Sequence, residues 1–217
     1  MKKLFVIICT TLIVGCSNVS KVEVPNIAES ESVNFVDLRP ANEKENEIFS
    51  LFITSDAYAL YRRGDDLVEP APVRLLQHRA YEKLSSEGNN PEVVVYHMVV
   101  YLNLQSELRG VSLGGLFGGA VGGAIAGAME DGTVNSINSL VNKEEFEAML
   151  ADEYLRVTYT KDENPNEASV FVTYIDAEIN GKRSFVKSMT PTRTPDGIDP
   201  HVASVESAIS YLLEQYH

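Results

Sequence analysis

The two cysteines of this chain, Cys9 and Cys16, are the side chains whose chemistry is best defined by their surroundings. A thiol can act as a nucleophile, bind a metal, form a disulfide or carry a lipid. Both cysteines lie in or just after an N-terminal stretch in which Lys2 and Lys3 precede an apolar run over residues 4–14. Because that run is too short to cross a bilayer, the stretch is predicted to be an export signal rather than a membrane span.

The end of this stretch, Ile13-Val14-Gly15-Cys16, resembles the lipobox of bacterial lipoproteins. The resemblance implies that the Cys16 thiol is acylated and that the peptide bond before it is then cut. An ordinary secretory signal, in which Cys16 has no role, is the alternative. Ser17 rather than an aspartate follows the cysteine. By resemblance to Gram-negative lipoproteins, this implies transfer to the outer membrane, with the protein facing the periplasm.

The lipobox divides the chain into three parts. Residues 1–15 are the signal peptide, residues 16–32 are the lipidated cysteine with a flexible, polar tether, and residues 33–217 form a single periplasmic domain. Cleavage removes Cys9 and acylation occupies Cys16, so the mature chain keeps no thiol for a disulfide, a nucleophile or a metal site. The expected membrane partner is reached through the lipid, because each buried methylene contributes about 0.8 kcal/mol.

The charge balance argues against nucleic acid as a partner. The chain has 18 basic and 31 acidic residues, and loss of Lys2 and Lys3 with the signal leaves 16 basic residues and a formal charge of −15. Such a chain is repelled by phosphate backbones and by anionic lipid headgroups. Its apolar content of 44% is near the average of globular proteins, so the mature part is long enough to bury one core.

The sequence indicates no catalytic, metal or cofactor site. The histidines are scattered, without the helical pair of a metal site; they are His78, His97, His201 and His217. Gly-Asp-Asp at residues 64–66 could hold a cation through two carboxylates, and a turn is the alternative that we favour. Arg39, beside Asp37 at a strand end, is expected to form an internal ion pair. We therefore expect a protein without enzymatic activity, metal or cofactor.

Residues 110–129 are twenty residues without a charge, in which glycine recurs at intervals of four. One row of glycines is Gly110, Gly114, Gly118 and Gly122, and the other is Gly115, Gly119, Gly123 and Gly127. In a helix the two rows lie side by side and form a smooth face of the glycine-zipper type, which lets a second backbone approach closely. Eight glycines cost about 1 kcal/mol each relative to alanine in a helix. Such a helix therefore needs contact with another surface.

Three interpretations of this glycine segment remain open. It could be a connection or a buried helix that packs on its own domain. It could be an assembly contact, through which copies held on one membrane pair their glycine faces. It could also insert into the bilayer, because twenty residues at 1.5 Å per residue match a hydrocarbon core of about 30 Å.

Alternating and continuous apolar patterns predict the strands. They are expected at residues 33–39, 48–53, 57–62, 92–105, 153–160, 168–179 and 182–190. The long run 92–105 is expected to be central, with one face formed by Val94, Tyr96, Met98, Val100, Leu102 and Leu104. Asn180-Gly181 predicts a hairpin turn between the last two strands.

Helices are predicted at residues 72–84, 143–150 and 200–217 from the 3.6-residue period and from end signals. Proline opens the first, Asn142 caps the second, and Asp199 caps the third. On the second helix, Phe146, Met149 and Leu150 are expected to share the apolar side. The expected fold class is α+β: a two-layer sandwich of a mainly antiparallel sheet with an early helix and a C-terminal helix, plus a glycine-rich helical insertion.

In its order of elements the chain resembles the YajG-type lipoproteins and related small α/β envelope lipoproteins. The resemblance rests on the lipobox, a first strand ending in Asp37-Leu38-Arg39, a long strand, the Asn180-Gly181 hairpin and a C-terminal helix. The glycine segment and the helix after it depart from that pattern. The resemblance implies an outer-membrane lipoprotein with an α/β periplasmic domain, no catalytic residues and an accessory role in envelope assemblies.

The expected function is therefore that of a binding, accessory or assembly component of the cell envelope. Its partners are expected to be envelope proteins or further copies of the chain, with the glycine segment as the contact. The alternative is a membrane-inserting or pore-forming lipoprotein that uses residues 110–129.

Overall fold

The computed structural model describes residues 21–24, 34–44, 60–86, 90–104, 136–158, 169–195 and 197–216. Within these ranges the chain forms eight strands and four α-helices. In chain order they are β1 (Val22–Glu23), β2 (Asn34–Asp37), β3 (Leu60–Arg63), β4 (Val68–Glu69), α1 (Pro72–Leu84), β5 (Glu92–Asn103), β6 (Ile137–Leu140), α2 (Lys143–Ala151), α3 (Tyr154–Val157), β7 (Val170–Ile179), β8 (Lys182–Pro191) and α4 (Pro200–Glu214). Two 3-10 turns, Ala41–Glu43 and Asp65–Leu67, follow β2 and β3.

Six strands form one mixed, mainly antiparallel sheet with the order β2-β5-β7-β8-β6. Strand β3 pairs with β5 as well, beyond the end of β2, so β2 and β3 share one side of the sheet. The pairing of β2 with β5 is parallel and the other pairs of this sheet are antiparallel. As predicted, the long strand β5 is interior. Strands β1 and β4 form a separate parallel pair.

The hairpin between β7 and β8 closes with the two residues that the sequence predicts. Asn180 and Gly181 have φ angles of 52° and 80°, the left-handed conformation that a two-residue hairpin needs at both positions. The Asn180 backbone N–H also donates to the carbonyl of Glu92 at the start of β5. We call this end of the sheet the hairpin end.

One face of the sheet, the first face, is covered by the early helix α1 and the C-terminal helix α4. Pro72 opens α1, and the Asp199 carboxylate accepts from the backbone N–H groups of His201 and Val202 at the start of α4. The apolar stripe of α1 packs against β5 and α4, and that of α4 packs against β7 and β8. Fully burying one such Leu or Ile side chain contributes about 1.5–3 kcal/mol. The predicted α+β class, with its early and terminal helices, is confirmed.

The opposite face, the second face, carries the two short helices α2 and α3, so the fold has a partial third layer. Asn142 and Glu145 form a reciprocal capping box at the start of α2. Phe146 and Met149 of α2 are buried, as predicted, whereas Leu150 is exposed. The prediction that Leu150 shares the buried side of α2 is therefore wrong.

The predicted strand at residues 153–160 is also wrong, because α3 occupies Tyr154–Val157. The Asp152 carboxylate accepts from the Tyr154 N–H and starts this turn. The turn directs Val157 and Arg156 into the second face, whereas a strand would have placed these neighbours on opposite faces.

Strand β5 carries a β-bulge that changes which of its residues share a face. The register with β7 shifts between Val95 and His97. Before the shift Val93 and Val95 are buried in the first-face core, and after it Met98 takes that position. The predicted face that joined Val94 and Tyr96 to Met98 is wrong, because a bulge inserts one residue and reverses the alternation.

Part of the predicted tether lies on the domain. Residues 21–24 include β1, and the Val24 N–H donates to the Glu69 carbonyl over 2.8 Å. The Val24 side chain packs against the first-face core. Of the other predictions, Cys16, the segment 110–129 and the strand at 48–53 lie outside the described residues, and β3 occupies the end of the strand predicted at 57–62. No helix in the described ranges is long and apolar enough to cross a membrane.

Candidate functional site

The sequence-predicted site residues, Cys16 and the eight glycines of the segment 110–129, are not among the described residues, but the points where the glycine segment joins the domain are. The chain leaves after Leu104, just beyond β5, and returns at Ser136, just before β6. Asn103 is in register with Val170, and Ile137 with Met189. Both junctions therefore lie at the end of the sheet opposite the hairpin end.

Two other connections also meet the domain at this connection end. Residues 45–59 return at Leu60, which is in register with Asn103. The connection 159–168 leaves beside Val157, whose carbonyl accepts from Asn103 Nδ2 over 2.6 Å, and returns at Ser169, next to Val170. The carbonyl of Ser169 accepts from the Thr192 N–H, which brings the start of the path to α4 to the same end. The connection end is therefore where residues 60, 104, 136, 157 and 169, the described junctions of three connections, lie.

The second face of the sheet holds a buried cluster of charged side chains. Its centre is Glu43, at the end of the 3-10 turn Ala41–Glu43. One carboxylate oxygen lies 2.8 Å from His97 Nδ1 and accepts from Arg156 Nη1 over 2.9 Å, and the other accepts from the Met98 N–H. Burial alone raises the pKa of Glu43, but the hydrogen bonds and charges of His97 and Arg156 outweigh it and hold that pKa below its ordinary value.

A second ion pair, in which only the carboxylate is buried, lies next to the first. Asp176 on β7 has no exposed surface and accepts two hydrogen bonds of 2.7 Å from Arg183 on β8. Burial raises the pKa of Asp176, although the Arg183 guanidinium opposes that rise. The same guanidinium lies 3.9 Å from the centre of the Tyr96 ring, which the bulge in β5 places on this face.

A third group of polar contacts joins α3 to the sheet. The hydroxyl of Tyr101 on β5 donates to Glu153, and Arg62 on β3 lies 3.7 Å from the same carboxylate. Burial raises the pKa of the Tyr101 hydroxyl, so the group stays a donor at neutral pH. The three groups together connect β3, β5, β7, β8, α3 and the 3-10 turn at Ala41–Glu43.

The predicted internal pair of Asp37 and Arg39 is present and larger than expected. The Arg39 guanidinium bonds the carboxylates of Asp37 and Asp65 and the backbone carbonyls of Glu43 and Met98. Asp65 belongs to the Gly-Asp-Asp stretch, which forms a 3-10 turn and engages a guanidinium. No group of three or more His, Cys, Asp or Glu side chains among the described residues is placed to bind a metal.

His97 meets the charged cluster through one ring nitrogen. Its Nδ1 lies 2.8 Å from the Glu43 carboxylate, and no described residue forms a hydrogen bond with Nε2. A groove of about 360 Å³ lies on the other face, between α1 and α4, with Arg79 and Glu206 in its lining. The arrangement around Glu43 thus pairs each buried carboxylate with a cation and fixes the short helices on the sheet.

The side of the sheet at β6 is a second candidate surface. Among the described strands β6 is the last on this side, and Ile137 and Leu140 are about half exposed. Sequence reasoning missed β6 because Asn138 and Ser139 interrupt its apolar pattern. Asn138 exchanges hydrogen bonds with Ser207 of α4, and Ser139 donates to the Lys187 carbonyl. We call residues 137–140 the β6 edge.

Comparisons of the chain with protein-family models, with curated proteins and with solved structures find no match. The resemblance to the YajG-type lipoproteins therefore stays a prediction from the sequence.

Proposed function

We propose that the protein is an outer-membrane lipoprotein, anchored through acylated Cys16, that faces the periplasm and works by binding rather than by catalysis. Its partners are envelope proteins or further copies of itself. The contact is made by the glycine segment 110–129 together with the β6 edge. No nucleic acid or cofactor takes part.

The observation that carries this proposal is the position of the glycine segment between β5 and β6. Both of its junctions are at the connection end, and the chain then passes directly into the β6 edge. Ile137 and Leu140 on that edge are exposed apolar side chains beside unpaired strand backbone among the described residues, a combination that favours pairing with another chain. Two features suited to association thus follow one another in the sequence, with residues 130–136 between them.

The packing of the described core supports a contact between the glycine segment and another chain. Helices α1 and α4 cover the first face, and α2 with α3 packs on the second. Helices therefore pack on both faces of the described sheet, and we infer that the glycine rows contact another chain.

The first test is the mass of residues 17–217 in detergent-free solution, measured by light scattering. A defined oligomer is expected, and Gly118→Leu or Gly119→Leu is expected to reduce it to a monomer by filling the smooth face. Ala120→Leu, which adds similar bulk outside the two glycine rows, is the matched control. A monomer that none of these changes affects would rule out self-association through the segment.

Partner binding and anchoring are tested on the full chain in a Gram-negative host. Incorporation of labelled palmitate and recovery in the outer-membrane fraction are expected, and both are lost in Cys16→Ser. A photo-crosslinker in place of Leu140 is expected to capture a discrete envelope protein or a second copy, while one at Lys143 serves as the control. Protection of residues 110–129 from protease in vesicles would instead support the membrane-inserting alternative.

A further inference from the structure

The N-terminal strap, residues 21–24, fixes a point of the domain close to the lipid anchor. Val22 and Glu23 are in register with Val68 and Glu69 of β4, and Lys21 Nζ lies 3.4 Å from the Glu69 carboxylate. The Val24 N–H donates to the Glu69 carbonyl, and the Val24 side chain packs on the core. The strap is thus held by the packing of the Val24 side chain, by backbone hydrogen bonds to β4 and by one ion pair.

The covalent distance from the strap to the lipid is short compared with the domain. Four residues lie between Cys16 and Lys21, and the five steps from one residue to the next span at most about 17 Å at roughly 3.4 Å per step. A domain of this length has a radius of gyration of about 16 Å, and therefore a diameter of about 40 Å. The strap cannot move away from the headgroups by even half of that diameter.

The strap lies on the side of the sheet that β2 and β3 form. Asp65, just before β4, bonds Arg39, which follows β2. Arg74, just after β4, lies 5.4 Å from the ring of Phe35 on β2. The β6 edge is on the opposite side, four strand spacings from β3, or about 19 Å at 4.8 Å per spacing.

We propose that the strap makes the β2/β3 side of the domain its membrane-facing side and holds the β6 edge away from the bilayer. The surface that the β2/β3 side faces is the lipid headgroup layer of the membrane that holds the Cys16 acyl chains. This inference rests on the acylation of Cys16 in the proposed function. It adds that the association surface is presented to the periplasm rather than buried against lipid.

Covalent length, not charge, sets this orientation. The exposed side chains of the strap and β4 include the acids Glu23 and Glu69 beside Lys21, which gives no basic patch for anionic lipids. The same orientation is therefore expected on vesicles of phosphatidylcholine alone.

The test uses the lipidated full chain reconstituted in phosphatidylcholine vesicles that carry a nitroxide on a fraction of the headgroups. Acylation occupies Cys16, so a single introduced cysteine can carry a fluorophore. Leu38→Cys and Leu140→Cys form a matched pair, because Leu38 is 55% and Leu140 is 50% exposed on opposite sides of the sheet. The headgroup nitroxide is expected to quench the label at residue 38 several-fold more than the label at residue 140.

The dependence on the strap is tested by Val24→Asp, which places a charge where Val24 meets the core and releases the strap. The tether then extends from Cys16 to Asn34, up to about 60 Å, and the two labels are expected to be quenched equally. Glu23→Gln, which changes an exposed position of the strap, is expected to keep the difference. Equal quenching in the parent chain that floats with the vesicles overturns the orientation alone. A chain that does not float with the vesicles overturns the acylation as well.

Discussion

Glu43 and Arg156, 113 positions apart in the chain, meet on the second face with 2.9 Å between carboxylate oxygen and guanidinium nitrogen. Both side chains are almost fully buried. A buried charge is tolerated only when it is paired, so each of these residues is needed by the other. The pair is the contact that joins the turn after β2 to the helix α3.

Replacing Glu43 with glutamine is expected to destabilise the fold by about 3–5 kcal/mol, because it removes the buried carboxylate to which Arg156 donates. The free energy of unfolding is measured by urea denaturation. Glu147→Gln removes an exposed carboxylate that pairs with Lys143 and is expected to change it by less than about 0.5 kcal/mol. A loss below 1 kcal/mol in Glu43→Gln would show that the pair does not carry this role.

Acid is expected to weaken the fold through the same carboxylate. Since the folded-state pKa of Glu43 is lowered, its stabilising contribution is present above the ordinary pKa of about 4.5 and is lost as pH falls through the lower, folded-state value. Glu43→Gln should therefore lose less stability than the parent chain between pH 5 and pH 3. Unfolding curves across that range measure the difference, and parallel losses in the two proteins would contradict the prediction.

His201 is expected to affect the stability of the fold at higher pH than Glu43 does. Burial, and to a lesser degree the charge of Arg63, lowers the pKa of His201 from 6.5 to about 3, so the folded state keeps the ring neutral. The contribution of the neutral His201 ring to the free energy of unfolding is fully present above pH 6.5. Below pH 6.5 it falls by up to about 1.4 kcal/mol per pH unit. Between pH 6.5 and 5, His201→Gln should flatten the dependence of the free energy of unfolding on pH. An unchanged slope in His201→Gln would count against a neutral buried ring.

The hairpin turn offers a test of backbone conformation alone. A Cβ on Gly181 would meet no atom within 4 Å, so the effect of a side chain there comes only from the φ angle of +80°. Gly181→Ala is expected to cost about 1–2 kcal/mol in the free energy of unfolding, and Gly181→Asn less, because asparagine tolerates this region better. Equal costs for the two variants would indicate that the turn adopts another conformation.

The parts of the fold that the sequence predicts correctly are those with local causes. The helices α1, α2 and α4 each begin at a residue that signals a helix start. These residues are Pro72, Asn142 and Asp199. The Asn180-Gly181 turn is specified in the same way by two residues. Each of these signals acts through the backbone of its own segment and needs no distant partner.

The errors have distant causes. The bulge in β5 depends on the register with β7, and β6 is a strand because it pairs with β8. The helix α3 depends on the buried pair that Arg156 forms with Glu43. The charged cluster was missed for the same reason, since its members come from six elements. The one available signal was Asp176, a charge inside the apolar run of β7, which required a cationic partner.

The ends of the sheet also differ in how they can be labelled. Tyr216 donates through its hydroxyl to the Lys182 carbonyl, and Lys182 Nζ donates to the Gln215 carbonyl, so the end of the described chain at residues 215–216 lies beside the hairpin turn. The ten residues of β7 separate that point from the connection end by about 33 Å. A fluorescent or affinity label attached at residue 215 or 216 would therefore report from the hairpin end, about 33 Å along β7 from the connection end.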